Sequence, residues 1–208
     1  MNEAETEKTT RSQQKRERIL EVAGEMFIQH GFNAVTMDAI AEAAPVSKPT
    51  LYNHFSDKTA LFFAVMEGRS LSIFKRLQGL ITKDGTPEQT LQEMGEGFLD
   101  LILRPESISL FRIMIGEGTK FPELGKLFYE AGPKKILGLL ADYLEGLDKK
   151  GILIVPNPLL SANFFLNMIK GYPHMQCMMG LKQKFPPSER TEIVTYAVSV
   201  FMNGHKKK

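Results

Sequence analysis

Cysteine occurs once in 208 residues, at Cys177. An intrachain disulfide framework is therefore excluded, and the usage suits the cytoplasm. No apolar run approaches the roughly 20 residues that a membrane span needs, so no membrane partner is expected. The opening stretch, MNEAETEKTTRSQQKR, is polar and has no apolar core, which excludes a secretory signal. HExxH, GxSxG, the dinucleotide-binding glycine pattern and zinc-type cysteine spacing are all missing, so neither an enzyme nor a cofactor is indicated. Gly116-Glu117-Gly118-Thr119-Lys120 superficially looks like a phosphate loop but does not have its spacing. Charge of one sign is also scarce: 26 Lys and Arg face 24 Asp and Glu, a formal net charge of +2. A generally basic surface is thus not available to attract nucleic acid.

What remains is an ordinary globular composition, 43% hydrophobic and 24% charged, with helical periodicity throughout and no β-type alternation in the C-terminal region. Residues 1–10 are polar and partly acidic and read as a disordered arm. Arg11, Lys15, Arg16 and Arg18 follow. They are either a solvated helix start or an arm that touches phosphate or the minor groove. A first helix spans about Ser12 to His30, with Ile19, Ala23 and Phe27 on one face and Gly31 as its stop.

The most informative stretch is TMDAIAEAAPVSKPTLYNHF, Thr36 to Phe55. Thr36 and Ser47 are hydroxyl caps for two short helices, Met37 to about Ala43 and Lys48 to about Asn53. Asp38 suits the positive end of the first, and Pro49 is tolerated in the first turn of the second. Leu51 and Phe55 point inward, which leaves Lys48, Thr50, Tyr52, Asn53 and His54 outward. Two short helices around a tight turn outline a helix-turn-helix, whose second helix enters the DNA major groove. From Arg11 to Ala60 six basic residues face six acidic ones, so DNA binding must depend on where the charges sit.

The pattern T-x-x-x-IA-x-x-A-x-VSKPTLYNHF-x-x-K-x-x-L, within residues 11–66, resembles the DNA-binding domain of the TetR/AcrR family of bacterial transcriptional regulators. The resemblance implies phosphate contacts from Thr36, Tyr52, His54 and Lys58. It implies a recognition surface of Ser47, Lys48, Pro49, Thr50 and Asn53. Lys58 would act beside the free N–H groups at the start of the next helix. Pro45 departs from the family, which usually carries glycine in this turn. Proline fixes φ near −65° and has no N–H, so the turn is expected to differ locally.

A long helix, Asp57 to about Ile81, then links this reader to a larger helical domain over 67–208. Leu61, Val65, Leu71 and Leu77 form its apolar stripes, and Lys83–Pro87 a loop. Further helices are expected over 87–103, 106–115, 121–131, 133–149, 158–179 and 187–203. This all-α layout is similar to a TetR-family regulatory domain, and FPELGKLFYEAGP resembles one C-terminal subgroup. The family implies a homodimer on a palindromic operator and a small-molecule effector that releases a repressor from DNA. The last two helices supply the dimer candidates Phe164, Ile169, Ile193, Tyr196, Val200 and Phe201, which equally fit a monomer core. Pocket candidates are Phe98, Phe111, Met114, Phe128, Tyr129, Phe165, Met168 and Tyr172, again open to a core reading. The methionines favour an apolar or amphipathic effector. His174, Cys177 and Met178, at i, i+3 and i+4, are either packing residues or a metal- or redox-sensing face. A helical small-molecule-binding protein or enzyme with a merely structural helix-turn-helix is the competing class.

Overall fold

The computed structural model describes residues 3–81 and 85–207, with no account of the side chains at 3–10, 69–73 and 76. The described residues form ten helices: α1 Glu3–Ala34, α2 Met37–Ala43, α3 Lys48–His54, α4 Lys58–Ile81, α5 Pro87–Ile102, α6 Pro105–Glu117, α7 Pro122–Ala131, α8 Pro133–Lys149, α9 Pro158–Met178 and α10 Pro187–His205. A single antiparallel bridge, Leu153 to Lys206, is the one β-type pairing among them. Proline opens each of α5 to α10, where its missing N–H would have had no intrahelical partner. Thr86 adds a reciprocal capping box: its hydroxyl accepts from Gln89 N (3.2 Å), while Gln89 Oε1 accepts from Thr86 N (3.0 Å).

Two differences from the sequence reading concern α1. It already includes residues 3–10, which hold neither proline nor glycine and were expected to be a disordered arm. Met1 and Asn2 lie outside the described residues. The break does fall at Gly31 (φ +79°, ψ 165°), but a short helical piece continues to Ala34. Only glycine takes that backbone geometry cheaply. In the loop before α5, Lys83 and Asp84 also lie outside the described residues. So does the Leu71 side chain, whereas Leu61, Val65 and Leu77 are buried as their spacing predicts.

The chain divides into two compact units. The first holds the residues up to Arg69 together with Ile113–Phe128. The sequence boundary at 66/67 did not anticipate that second segment. Its core is aromatic: Phe62 meets Phe27 edge-on at 5.0 Å and Phe32 at 5.2 Å, and Phe121 closes on Phe32 at 5.6 Å. Ile19, Ala23, Ile40, Leu51 and Leu61 fill the remaining interior.

The second unit, Ser70–Arg112 with Tyr129–Lys208, packs α5, α8, α9 and α10 around one apolar cluster that includes Leu91, Phe98, Leu140, Leu144, Phe165 and Phe201. Gly95 lets α5 approach its neighbours, because a Cβ there would lie 2.6 Å from Val194 Cγ1 and 2.9 Å from Ile169 Cδ1. Asp100 of α5 accepts from Arg190 of α10 (2.6 Å) and from Arg104 (3.2 Å). Burial alone would raise its pKa, but those two guanidinium groups hold the carboxyl below its ordinary value. At the far end of α10, His205 Nε2 meets Ser161 Oγ at 3.0 Å, which pins the C-terminus to the first turn of α9.

Candidate nucleic-acid interface

The two reader helices are built as their caps dictate. Thr36 Oγ1 accepts from Ala39 N at 3.2 Å, and Ser47 Oγ accepts from Thr50 N at 3.3 Å while sharing a 2.8 Å contact with the Thr50 hydroxyl. Leu51 and Phe55 turn into the core, at 0% and 5% exposure. Alternation around so short a helix then forces Lys48, Pro49, Tyr52 and Asn53 into solvent, with Thr50 and His54 at the edge. Of the outward residues named from sequence, Lys48, Tyr52 and Asn53 are thus exposed on α3, while Thr50 and His54 are partly covered. Thr36, at the start of α2, is exposed as well.

The turn between the helices has an explicit geometry. Val46 N donates to Ala41 O at 3.0 Å, the long bond of a Schellman ending for α2, and Ala44 is the C-cap. Pro45 therefore occupies the position where helices favour a left-handed residue, and its φ is +26°. A proline ring resists that value, and with no N–H it cannot donate the second bond of the motif. The turn is strained at Pro45, the residue where the family resemblance leads one to expect glycine.

Two cations behave differently from expectation. Lys48 Nζ is paired with Asp38 Oδ2 at 2.8 Å, both groups being well exposed. That hydrogen bond, with the Asp38 charge, raises the Lys48 pKa. No short sequence pattern links residues ten apart, so this pair was not legible beforehand. Lys58 was expected to meet phosphate, but its ammonium points inward. It donates to the carbonyls of Phe32 (2.9 Å), Asn33 (3.4 Å) and Val35 (2.9 Å) and lies 4.5 Å from the Phe32 ring centroid. The chain reversal after Gly31 leaves these carbonyls without helical partners, and three ammonium donors satisfy them. Burial lowers the Lys58 pKa, with Glu117 acting the other way. The start of α4 is itself capped by Asp57, whose Oδ1 accepts from Ala60 N at 2.8 Å.

Three further contacts were missed. Arg16 lies over the Phe55 ring at 5.3 Å, so α1 reaches the C-terminal end of α3. Glu117 Oε2, at the end of α6, accepts from Asn33 Nδ2 at 2.7 Å. Arg112 Nη2 and Nε donate to Cys177 O (2.7 Å) and Met178 O (3.1 Å), closing the C-terminal end of α9.

The remaining candidates scatter. Among the pocket residues, Phe98 and Phe165 belong to the buried cluster of the second unit, while Tyr129, Met168 and Tyr172 are exposed. Met114 and Phe128 belong to the first unit and Phe111 to the second. Apolar spacing along single helices does not tell which faces converge. Among the dimer residues, Ile169 and Phe201 are monomer core at 0% and 3% exposure, and Ile193 is half-buried. Phe164, Tyr196 and Val200 stand in solvent at 60%, 74% and 45%. His174 and Cys177 are buried, Met178 partly so, and no cluster of three His, Cys, Asp or Glu suited to a metal occurs among the described residues. Burial raises the Cys177 pKa, which lowers the thiolate that oxidant sensing needs. No helix among the described residues is long and apolar enough to cross a membrane.

Comparison with known proteins agrees with this architecture. Residues 19–65 match the family described as bacterial regulatory proteins, tetR family, and residues 89–206 match the AefR-like transcriptional repressor, C-terminal domain. The HTH-type transcriptional regulator YvkB of Bacillus subtilis is 27% identical over 90% of this chain and 95% of its own. A TetR-family transcriptional regulator of Mesorhizobium loti superposes with a TM-score of 0.86 at 25% identity, covering 95% of this chain and 99% of that one. The flavonoid-responsive regulator FrrA superposes at 0.82 with 28% identity, covering 94% and 98%. With a capped helix-turn-helix at one end and an all-helical domain over the rest, the chain belongs to the TetR family of bacterial transcriptional regulators.

Proposed function

We propose that the protein is a homodimeric repressor that binds a palindromic operator in the cytoplasm and is released by a small organic effector. One observation carries the DNA reading. The capped α3 presents Lys48, Pro49, Tyr52 and Asn53 together in solvent while Leu51 and Phe55 anchor it from behind. Polar tips on a rigid short helix suit base edges, and Thr36, Tyr52 and His54 suit phosphate. Lys48 exchanges its Asp38 partner for the nucleic acid on binding.

The dimer reading rests on α9 and α10. Leu160, Phe164, Met168 and Tyr172 recur every four residues along α9 and are all exposed, as are Tyr196 and Val200 on α10. An apolar stripe of that length on paired helices fits a second copy of the same chain. Release is supported by the C-terminal likeness to AefR-like repressors and the overall likeness to a flavonoid-responsive protein. The segment 113–128 offers a route, because Glu117 and Phe121 touch Asn33 and Phe32 of the reader's own unit. A change in α6 would reach the carbonyls that Lys58 holds.

Selection of bound fragments from a genomic DNA pool tests the reading and yields the operator. On that operator, Lys48→Ala and Tyr52→Ala should each weaken binding by about tenfold or more, with helicity and dimer mass unchanged. Parent-like binding by both variants would sink the assigned surface.

A further inference from the structure

Helix α1 runs outward past the core of its unit. Every residue from Arg11 to Lys15 is exposed, and among the described side chains of α1 the first buried one is Ile19. Residues three and four apart share a helix face. Lys15 and Arg16 therefore continue, one turn outward, the face that Ile19 turns into the core, and Arg11 continues it by a further turn. Glu17 and Glu21, two residues to either side of Ile19, lie on the opposite face in solvent. The basic face thus overhangs the rest of the unit, while the acidic face looks away from it. One contact fixes where the overhang lies. Arg16 stands over the Phe55 ring at 5.3 Å, and Phe55 is the C-cap of α3, directly after His54. The basic face is therefore continuous with the end of α3 that carries Tyr52 and His54. Neither acid neutralises it: Glu17 accepts from Gln13 at 3.3 Å and Glu21 from Arg18 at 2.7 Å. Among the described residues Lys15 has neither a hydrogen bond nor an ion pair.

We propose that Lys15 and Arg11 clamp the phosphate backbone of duplex DNA beside the phosphates met by Tyr52 and His54, so that the DNA interface extends beyond the helix-turn-helix onto α1. This rests on the reading of α3 as the recognition helix. Charge selects a polyanion, and the helical form of α1 selects how it is met. A helix with its side chains is about 10–12 Å across, whereas the minor groove is only about 6 Å wide. α1 cannot enter that groove as an extended arm does, and α3 occupies the major groove. The backbone between the grooves remains, and a flexible lysine reaches it as a point charge. Such a contact fixes position without reading sequence.

The test uses the full chain, the operator recovered from the genomic pool and a scrambled duplex of the same length and composition, each titrated across a salt series. Lys15→Gln should reduce the slope of log affinity against log salt by about 0.9 for each copy of the chain bound. It should weaken operator and scrambled duplex by the same factor, so that their ratio keeps the parent's value. Lys15→Arg should keep the parent slope, because a phosphate asks only for charge within reach. An unchanged slope in Lys15→Gln overturns the clamp. So does a loss confined to the operator, which is base reading, or a loss that tracks the A·T content of the duplex, which is minor-groove reading. A Lys15→Arg protein that falls as far as Lys15→Gln, or a loss of helicity by circular dichroism in either variant, makes Lys15 structural and overturns it too. Operator binding by the parent alongside any of these results overturns the α1 surface alone. A parent that binds neither duplex overturns the regulator reading with it.

Discussion

Single residues carry the electrostatics of this protein, because its net charge carries almost none. Asp38 Oδ2 pairs with Lys48 Nζ at 2.8 Å on the surface proposed to meet DNA. Asp38→Asn should free Lys48 and remove a negative charge facing DNA. Operator affinity at low salt should then rise several-fold, because the parent must break the pair before Lys48 turns to the nucleic acid. Fluorescence anisotropy at low salt reads it, and an unchanged affinity would show that the pair does not restrain Lys48. His174 gives a second prediction. Burial first, and the Lys170 charge second, push its pKa from 6.5 down to about 4. The unfolded chain therefore takes up a proton between those values while the folded chain does not, so stability falls as pH drops through that window. The loss is on the order of 3 kcal/mol when complete. Urea titrations from neutral pH to below 4 should show it in the parent and not in His174→Gln; identical curves would refute it.

Among the elements, the end of α2 runs against the usual preference of a helix terminus. α2 ends in a Schellman turn that asks for glycine, and Pro45 stands there at φ +26°. A strained backbone residue costs about 1–3 kcal/mol, and a missing hydrogen bond adds about 1. Pro45→Gly relieves the strain and restores an N–H for Glu42 O, at an unfolded-state entropy cost of about 1 kcal/mol. The substitution should raise the thermal midpoint, since the relief exceeds the entropy. Calorimetry decides it, and a lowered midpoint would mean that the proline is not strained. The strain also bears on function, because the same turn sets the angle between α2 and α3.

At the scale of the molecule, Phe164, Met168 and Tyr172 on α9, with Tyr196 on α10, leave apolar area in water; the proposed second copy would cover it. Phe164→Glu places a charge in the middle of that stripe. It should yield a monomer by light scattering while leaving helicity intact, since Phe164 is 60% exposed and makes little core. Operator affinity should fall by at least about tenfold, because two linked readers bind far better than one. A dimeric Phe164→Glu protein would move the interface elsewhere.

Helix positions, caps and the outward face of α3 were legible because they are set within a few residues: Thr36 and Ser47 cap their own first turns, and four of the expected helix starts fall on proline, with the starts expected at Glu106 and Phe121 each one residue from the observed Pro105 and Pro122. Pro45 could be flagged in the same way, since a turn's demand for positive φ is local. The phosphate role expected for Lys58, the pocket drawn from Phe98 to Tyr172 and the interface drawn through Ile169 and Phe201 depended on which distant surfaces meet. Hydrophobic periodicity says that a face is buried but not what buries it, so Ile169 and Phe201 proved to be monomer core while Phe164 and Tyr196 stayed exposed. Only the folded chain turned Lys58 onto three carbonyls, paired Asp38 with Lys48 and Asn33 with Glu117, and set Lys170 and His174 around Phe111. Each of these is a contact between different elements, from ten residues apart for Asp38 and Lys48 to 84 for Asn33 and Glu117, created by packing and therefore absent from any local pattern.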